Sequence, residues 1–431
     1  MYQPKTTIPL KDYTDLLAAF NPPTTFEPTK NKYGTEKNSQ NIFNEQCVKG
    51  VEKVARKIEI LQSTQADVSM VRKELECILQ ELGNIRREIA ETTKSIPQDI
   101  EKFGRSRRNN PIELKDGQKL IDCTKICNKQ HMEAHENIKK LLARYLEKML
   151  AKKELEGKAY DDNGNPKSRY LIKLYPVIFQ FKHKKTHKII KLEHSENNAK
   201  EINTLQNDPS YQVGLTFDCP DESLTATLDY LFGGKTPDFK YLVVGEVQLK
   251  VDDDQYIRGT RHITYYNDSL NEFSRESTVI LQHTPSENHD LILDKIAALW
   301  HQAIFWKPES GTQKFNEIMA DIQFYLGQAM FFYRGSPAIS KMFSKGTYYA
   351  YGFLQPASQS ATDEHCLGEW YPFMKLFRKK YLECFSNDPT SLISQARQLA
   401  SNENKQSDVN NNQDNTEENN QIANKQFGYF K

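Results

Sequence analysis

Four side chains that bind soft metals stand at four-residue intervals: Cys123, Cys127, His131 and His135. Thiolate and imidazole are the ligand set that zinc prefers. On one helix, successive i,i+4 positions rotate by only ~40°, so the four side chains form a stripe ~18 Å long and cannot all reach one tetrahedral ion. At most one such pair holds a metal with partners from elsewhere, and the plainer reading is the weakly polar top of a helix seam, so no metal is assigned. Asp161-Asp-Asn-Gly-Asn165 begins like a calcium loop, but Pro166 stands where that loop needs Gly and Ile172 where it needs Glu, which leaves a turn. Lys182-His-Lys-Lys-Thr-His-Lys188 lies between two strand-like runs, so Lys182, Lys184, Lys185 and Lys188 are expected together on one hairpin tip. Such a tip suits a phosphate, a phosphoinositide head group or an acidic partner, or simply guards a sheet edge. Arg105, Arg107 and Arg108 invite the same pair of readings. His365 and Cys366 are adjacent in sequence and so point in different directions, which makes Cys366 an inert thiol by default.

The segment from Phe315 to Phe343 reads as an apolar helix, a tight Arg334-Gly335-Ser336 break and a second helix with Ser336 as cap and Pro337 in its first turn. Backbone N–H groups at such a break favour an anion, so Arg334, Gly335, Ser336 and Lys341 are the anion-binding candidates. Over residues 286 to 356 the pattern resembles a degenerate Fic-type core, whose helix, His-Pro-Phe-x-acidic-Gly-Asn loop and following helix nest a nucleotide phosphate. Phe332 and Gly335 match. Met330 stands for the catalytic His, Arg334 for the metal-binding acid, Ser336 for the Asn and Ala338 for the first phosphate-binding Arg, with Lys341 a stand-in for the second. The resemblance therefore implies a phosphate pocket without the base or metal ligand for nucleotidyl transfer. Asp238, Glu246 and Lys250 similarly resemble part of a PD-(D/E)xK nuclease core, with Gln248 where that family has Lys; the plainer reading is the polar face of a half-buried strand.

These candidates sit on three kinds of segment. Residues 1–44, with Pro4, Pro9, Pro22, Pro23 and Pro28, read as a loose arm. Residues 45–157 read as an antiparallel helical, coiled-coil hairpin. Its first helix carries a seam through Val51, Val54, Ile58, Leu61, Val68, Val71, Leu75, Ile78, Leu82, Ile85, Ile89 and Ile96, irregular at Val68; its second runs from about Leu120 to Leu155. Residues 158–285 switch to period two and predict a small antiparallel sheet unit, with strands near 170–175, 177–181, 188–192, 211–217, 241–249 and 277–281 and short helices near 196–206 and 222–232. Residues 286–401 turn helical again, and Asn-rich residues 402–431 read as a disordered tail. The fold class is α+β, a helical hairpin followed by a sheet unit and a C-terminal helical bundle.

Lys and Arg number 58 against 57 Asp and Glu, a net charge of +1, which argues against a nucleic-acid-coating protein. Seven scattered cysteines read as reduced thiols, no Sec-type signal is present, and no run approaches the ~18 apolar residues of a membrane span. The tail carries Glu417-Glu418 and closes on Phe427, Tyr429 and Phe430. It is similar to the export signals of intracellular-pathogen type IV (Dot/Icm) effectors, which implies secretion into host cytoplasm; otherwise the protein is expected in the cytoplasm. The favoured function is an effector-like interaction protein acting on host proteins through helical surfaces. The alternative is an enzyme modifying a nucleotide or protein side chain near Arg334–Lys341. No cofactor is named, and the coiled coil leaves open a homodimer.

Overall fold

The computed structural model describes residues 37–92, 97–108, 123–125, 132–160, 168–217, 224, 241–266, 279–351, 353 and 368–383. The expectations for residues 1–36, Asp161–Pro166, Cys127, His131, Asp238, His365, Cys366 and the tail lie outside them.

The long seam is two helices, α1 (Lys37–Ser63) and α2 (Val68–Thr92). Gln65 takes the left-handed conformation, φ 51°, and the Ala66 N–H reaches back to the Leu61 carbonyl at 3.0 Å, which closes α1 in a Schellman-type turn. Asp67 then caps α2 by accepting the Met70 N–H at 2.8 Å. The irregular step at Val68 was this reversal, and Val68 is exposed. Lys53–Glu81 and Lys57–Glu74 ion pairs cross between the helices, which fixes them as antiparallel. Residues 37–44 belong to α1 and correct the loose arm's boundary: the last proline before them is Pro28, so the helix built on buried Val48, Val51 and Val54 extends toward the N-terminus unopposed.

The second tract is also corrected. Its helix, α3, spans only Met132–Lys152, and Cys123–Lys125 forms a strand, β1, because the edge of β8 (Ile280–Gln282) offers it an antiparallel ladder. α3 lies on β2 (Glu156–Ala159), where Gly157 leaves room for Met149. α1 and α2 lie instead on the later helices α5 (His289–Ile304) and α7 (Ser336–Tyr349), α1 chiefly on α7 and α2 on α5, while α6 (Thr312–Ala329) packs against α5 and α7. At the α1–α7 crossing a Cβ on Gly346 would stand 2.5 Å from the Val54 Cβ, so this contact requires glycine. α8 (Met374–Glu383) packs on α6, held by a forked Arg378–Asp321 pair.

The sheet is antiparallel throughout, in the order β1-β8-β7-β6-β3-β2. β3 (Ser168–His183) organises it. Its first half pairs with β2 and β6 (Tyr241–Lys250), its second with β4 (Ile189–Glu193) and β5 (Tyr211–Phe217). Pro176, which has no N–H to donate, sits where the partners change on both edges. β7 (Tyr256–Tyr266) has no counterpart in the strands predicted above. Val243, Val247 and Leu249 on one face of β6 join the helices in the main core; Leu242 and Val244 on the other join Val177, Leu224, Ile263 and Ile280. Under the second half of β3 a small cluster of Phe179 and Phe181 packs on Ile202 of α4 (Ala199–Gln206).

Candidate functional site

α6 ends at Ala329, with Met330 left-handed as its C-cap, and the chain turns through Phe331–Gly335 into α7. Gly335, at φ 89°, is the N-cap of α7 in place of Ser336. The Ser336 hydroxyl is turned inward, accepting the Phe332 N–H and donating to the Phe332 carbonyl, each at 3.0 Å, so it is not offered to an anion. A strap, residues 102–108, lies across the turn. Gly104 N–H donates to the Arg334 carbonyl, Arg334 N–H to Lys102, Tyr333 N–H to Arg105 and Arg107 N–H to Phe331. The backbone at Arg334 is therefore consumed by the strap, and Pro337 supplies no donor.

Arg334 itself is exposed, and Lys341 is half-buried on α7. What the turn assembles was not legible in the sequence: Arg86 of α2 lies 4.3 Å above the Phe103 ring and Arg334 lies 5.7 Å from the same ring. The Arg86 Cγ occupies the space where a Cβ on Gly335 would stand, 2.6 Å away. Burial, and the like charge of Arg334, lower the Arg86 pKa. Arg107 is not presented at all. It is 5% exposed and clamps the turn from below, donating to the Ala329 and Met330 carbonyls at 3.0 Å each and to Thr284 at 2.8 Å. Arg108 joins Arg72 of α2 in ion pairs with Glu76 and Asp290.

Lys182, Lys184, Lys185 and Lys188 are all exposed at the β3–β4 turn. The turn is locked: His183 N–H donates to the Lys188 carbonyl, His187 N–H to His183, and Lys184 N–H to Ser210. The His183 Nδ1 accepts the Thr186 N–H at 3.1 Å, and its ring packs edge-on against Tyr211.

The acid of the sheet is committed elsewhere. Glu246 pairs with Arg261 at 2.7 Å, Arg261 donates to Gln282, and Gln248 donates to Glu246. Lys250 pairs with Asp253. Glu246 is thus held by a guanidinium, while Asp238, the other acid of that pattern, lies outside the described residues. The four-residue stripe does not lie on one helix, since Cys123 is on a strand and His135 on α3, with Cys127 and His131 outside the described residues; among those described, no group of three or more His, Cys, Asp or Glu could hold a metal.

No family model matches this chain, and neither does any curated protein. A buried pair that sequence reasoning passed over joins Tyr170 to His262 at 3.0 Å, with the His262 Nε2 2.7 Å from the Glu369 carbonyl. The carbonyl only accepts, so Nε2 carries the proton and Nδ1 accepts from the Tyr170 hydroxyl. A side chain on Gly245 would collide with that hydroxyl. Burial lowers the His262 pKa to about 4 and raises that of the Glu369 carboxyl to about 8. Trp370 stacks on His262, Phe373 packs edge-on against Tyr170, and His262 and Glu369 are buried, so this cluster ties the sheet to the segment before α8 and does not face a substrate. Sequence reasoning also missed a cavity of about 690 Å³ at the α1–α2 turn, whose only signal was the aromatic and proline punctuation Phe305-Trp306-Lys307-Pro308.

Proposed function

We propose that this chain is a non-catalytic interaction protein that engages an acidic surface of a partner protein through the β3–β4 hairpin. One observation carries the reading: four lysines stand exposed on a turn whose backbone and histidine hydrogen bonds hold it in one shape. A pre-formed cationic tip loses little conformational freedom on docking, and its charge speeds encounter and selects the partner. The helical surfaces first assigned to partner binding are less suited, because the apolar stripes of α1 and α2 are buried against α5 and α7. The overall charge of +1 supplies no basic excess for coating nucleic acid.

The quadruple variant Lys182→Glu, Lys184→Glu, Lys185→Glu, Lys188→Glu tests this against poly-glutamate as an acidic probe. Wild type should bind with an affinity that falls as salt rises, and the variant should lose at least about tenfold with an unchanged melt, since exposed charges contribute little to folding. Equal binding by the two proteins overturns the reading, as does binding to phosphatidylserine vesicles but not to poly-glutamate.

The effector-like tail belongs to the same proposal, as the route by which a type IV system would deliver the protein to a host cell. Removing residues 402–431 should abolish translocation of a reporter fusion; export at the wild-type level would remove that part of the proposal.

A further inference from the structure

The cavity at the α1–α2 turn is lined by Gln62 and Gln65 from the turn, Trp306, Lys307 and Glu309 from the α5–α6 connection, and Tyr351 beyond α7. At about 690 Å³ it is the size of a small-molecule site. Its chemistry is lopsided. Most donors of the wall are already used inward: Gln62 Nε2 donates to the Ile304 carbonyl at 2.8 Å and to the Tyr351 oxygen at 3.0 Å. The Tyr351 hydroxyl donates to the carbonyls of Ala303 and Ile304, Gln65 Nε2 to the Gln62 carbonyl, and Trp306 Nε1 to that of Gly311. What these side chains still offer a ligand is mainly acceptors, the amide oxygens of Gln62 and Gln65 and the exposed Glu309 carboxylate, against the second N–H of Gln65 Nε2 and one exposed ammonium, Lys307.

Two further features have the same sign. α1 and α5 both end at the cavity, and a helix C-terminus carries partial negative charge that a cation usually complements. The last turn of α1 contains no basic residue, and that of α5 has only His301. Trp306 and Tyr351 supply aromatic walls, the surfaces that attract organic cations. We propose that this cavity binds an organic cation bearing N–H donors, an ammonium or guanidinium group, with Glu309 as its counter-charge and Lys307 as the group that limits affinity. The site is independent of the lysine hairpin, which takes ligands of the opposite sign.

Calorimetric titration of the full chain with agmatine and with sorbitol, together with tryptophan fluorescence, tests it. Agmatine should bind saturably and sorbitol should not. Glu309→Gln should weaken agmatine about three- to fivefold and Lys307→Gln should tighten it by a similar factor, as expected for exposed charge pairs. Both residues are exposed, so neither substitution should move the melt. Trp306→Phe should abolish the fluorescence change. A short arginine peptide that binds more tightly than agmatine would assign the cation to a partner's side chain, and one that binds more weakly to a free metabolite; both support the site. Failure of agmatine to bind, equal binding of sorbitol, or Glu309→Gln and Lys307→Gln shifting affinity in the same direction overturns it.

Discussion

Arg107→Met should cost this protein about 3–5 kcal/mol of stability, because it leaves two buried carbonyls and a partly buried one without their charged donor. The guanidinium joins the strap to the end of α6 and to Thr284 just after β8, so its loss loosens three segments at one point. Arg108→Met is the control. Arg108 is partly exposed and its partners Glu76 and Asp290 are also held by Arg72, so the change should cost under about 1 kcal/mol. Arg107→Lys should recover only part of the loss, since one ammonium cannot span carbonyls on opposite sides as a planar fork does. Urea unfolding of the three variants reads the comparison. Equal destabilisation by Arg107→Met and Arg108→Met would show that the clamp contributes no more than a surface pair.

The same residue shows where sequence reasoning reached its limit. Arg105, Arg107 and Arg108 look alike as a basic run, and only tertiary placement separates a buried clamp from a half-exposed ion pair. β7 escaped notice for a related reason. Its buried positions include Thr260, Arg261, His262 and Thr264, so the apolar alternation that betrays a strand is missing. Three of these residues are tolerable there because distant residues satisfy them: Glu246 and Gln282 for Arg261, Tyr170 for His262, and Gln328 for the Thr260 N–H. By contrast β3 to β6 were legible, since their aliphatic and aromatic runs need only an adjacent strand. The α+β class followed from those runs and from the helical periodicity on either side.

For the helices, periodicity gave the buried positions and missed the turn. Val51, Val54, Ile58 and Leu61, then Val71, Leu75, Ile78 and Leu82, are all buried as expected. Yet steps of three and four residues continue across Gln65 by coincidence, and the reversal is enforced by backbone bonds and the Asp67 cap. The lysine hairpin was legible because its whole cluster is local. Arg86 and Phe103 were not, because only the packing of α2 and the strap brings them to Arg334.

The second large effect is a stability maximum near pH 6.5, set by four buried groups. Burial, with a contribution from the Arg107 charge, lowers the pKa of both His283 and His289 to about 3, and burial lowers His262 to about 4. Each histidine is therefore neutral in the folded protein while the unfolded chain takes up a proton below its ordinary 6.5, so the stability they contribute is present above pH 6.5 and is lost as pH falls toward 3. Glu369 has the opposite sign. Burial holds its carboxyl protonated up to about pH 8, while the unfolded chain ionises from 4.5, so stability falls as pH rises between those values. Between pH 4.5 and 6.5 three histidines outweigh one carboxyl, and stability should rise with pH by roughly 2–3 kcal/mol per unit. Above 6.5 the histidine contribution fades as the unfolded chain's imidazoles lose their protons while that of the carboxyl persists, so the curve turns over just above this pH and roughly 0.5–1 kcal/mol should be lost by pH 8. Glu369→Gln, which keeps the shape and removes the charge, should flatten that alkaline limb while leaving the acid limb in place. Chemical unfolding at half-unit intervals from pH 4.5 to 8.5 decides between this balance and its absence: a wild-type curve that keeps rising through pH 8, or an alkaline limb that survives in Glu369→Gln, would show that the buried carboxyl is not what limits the fold at high pH.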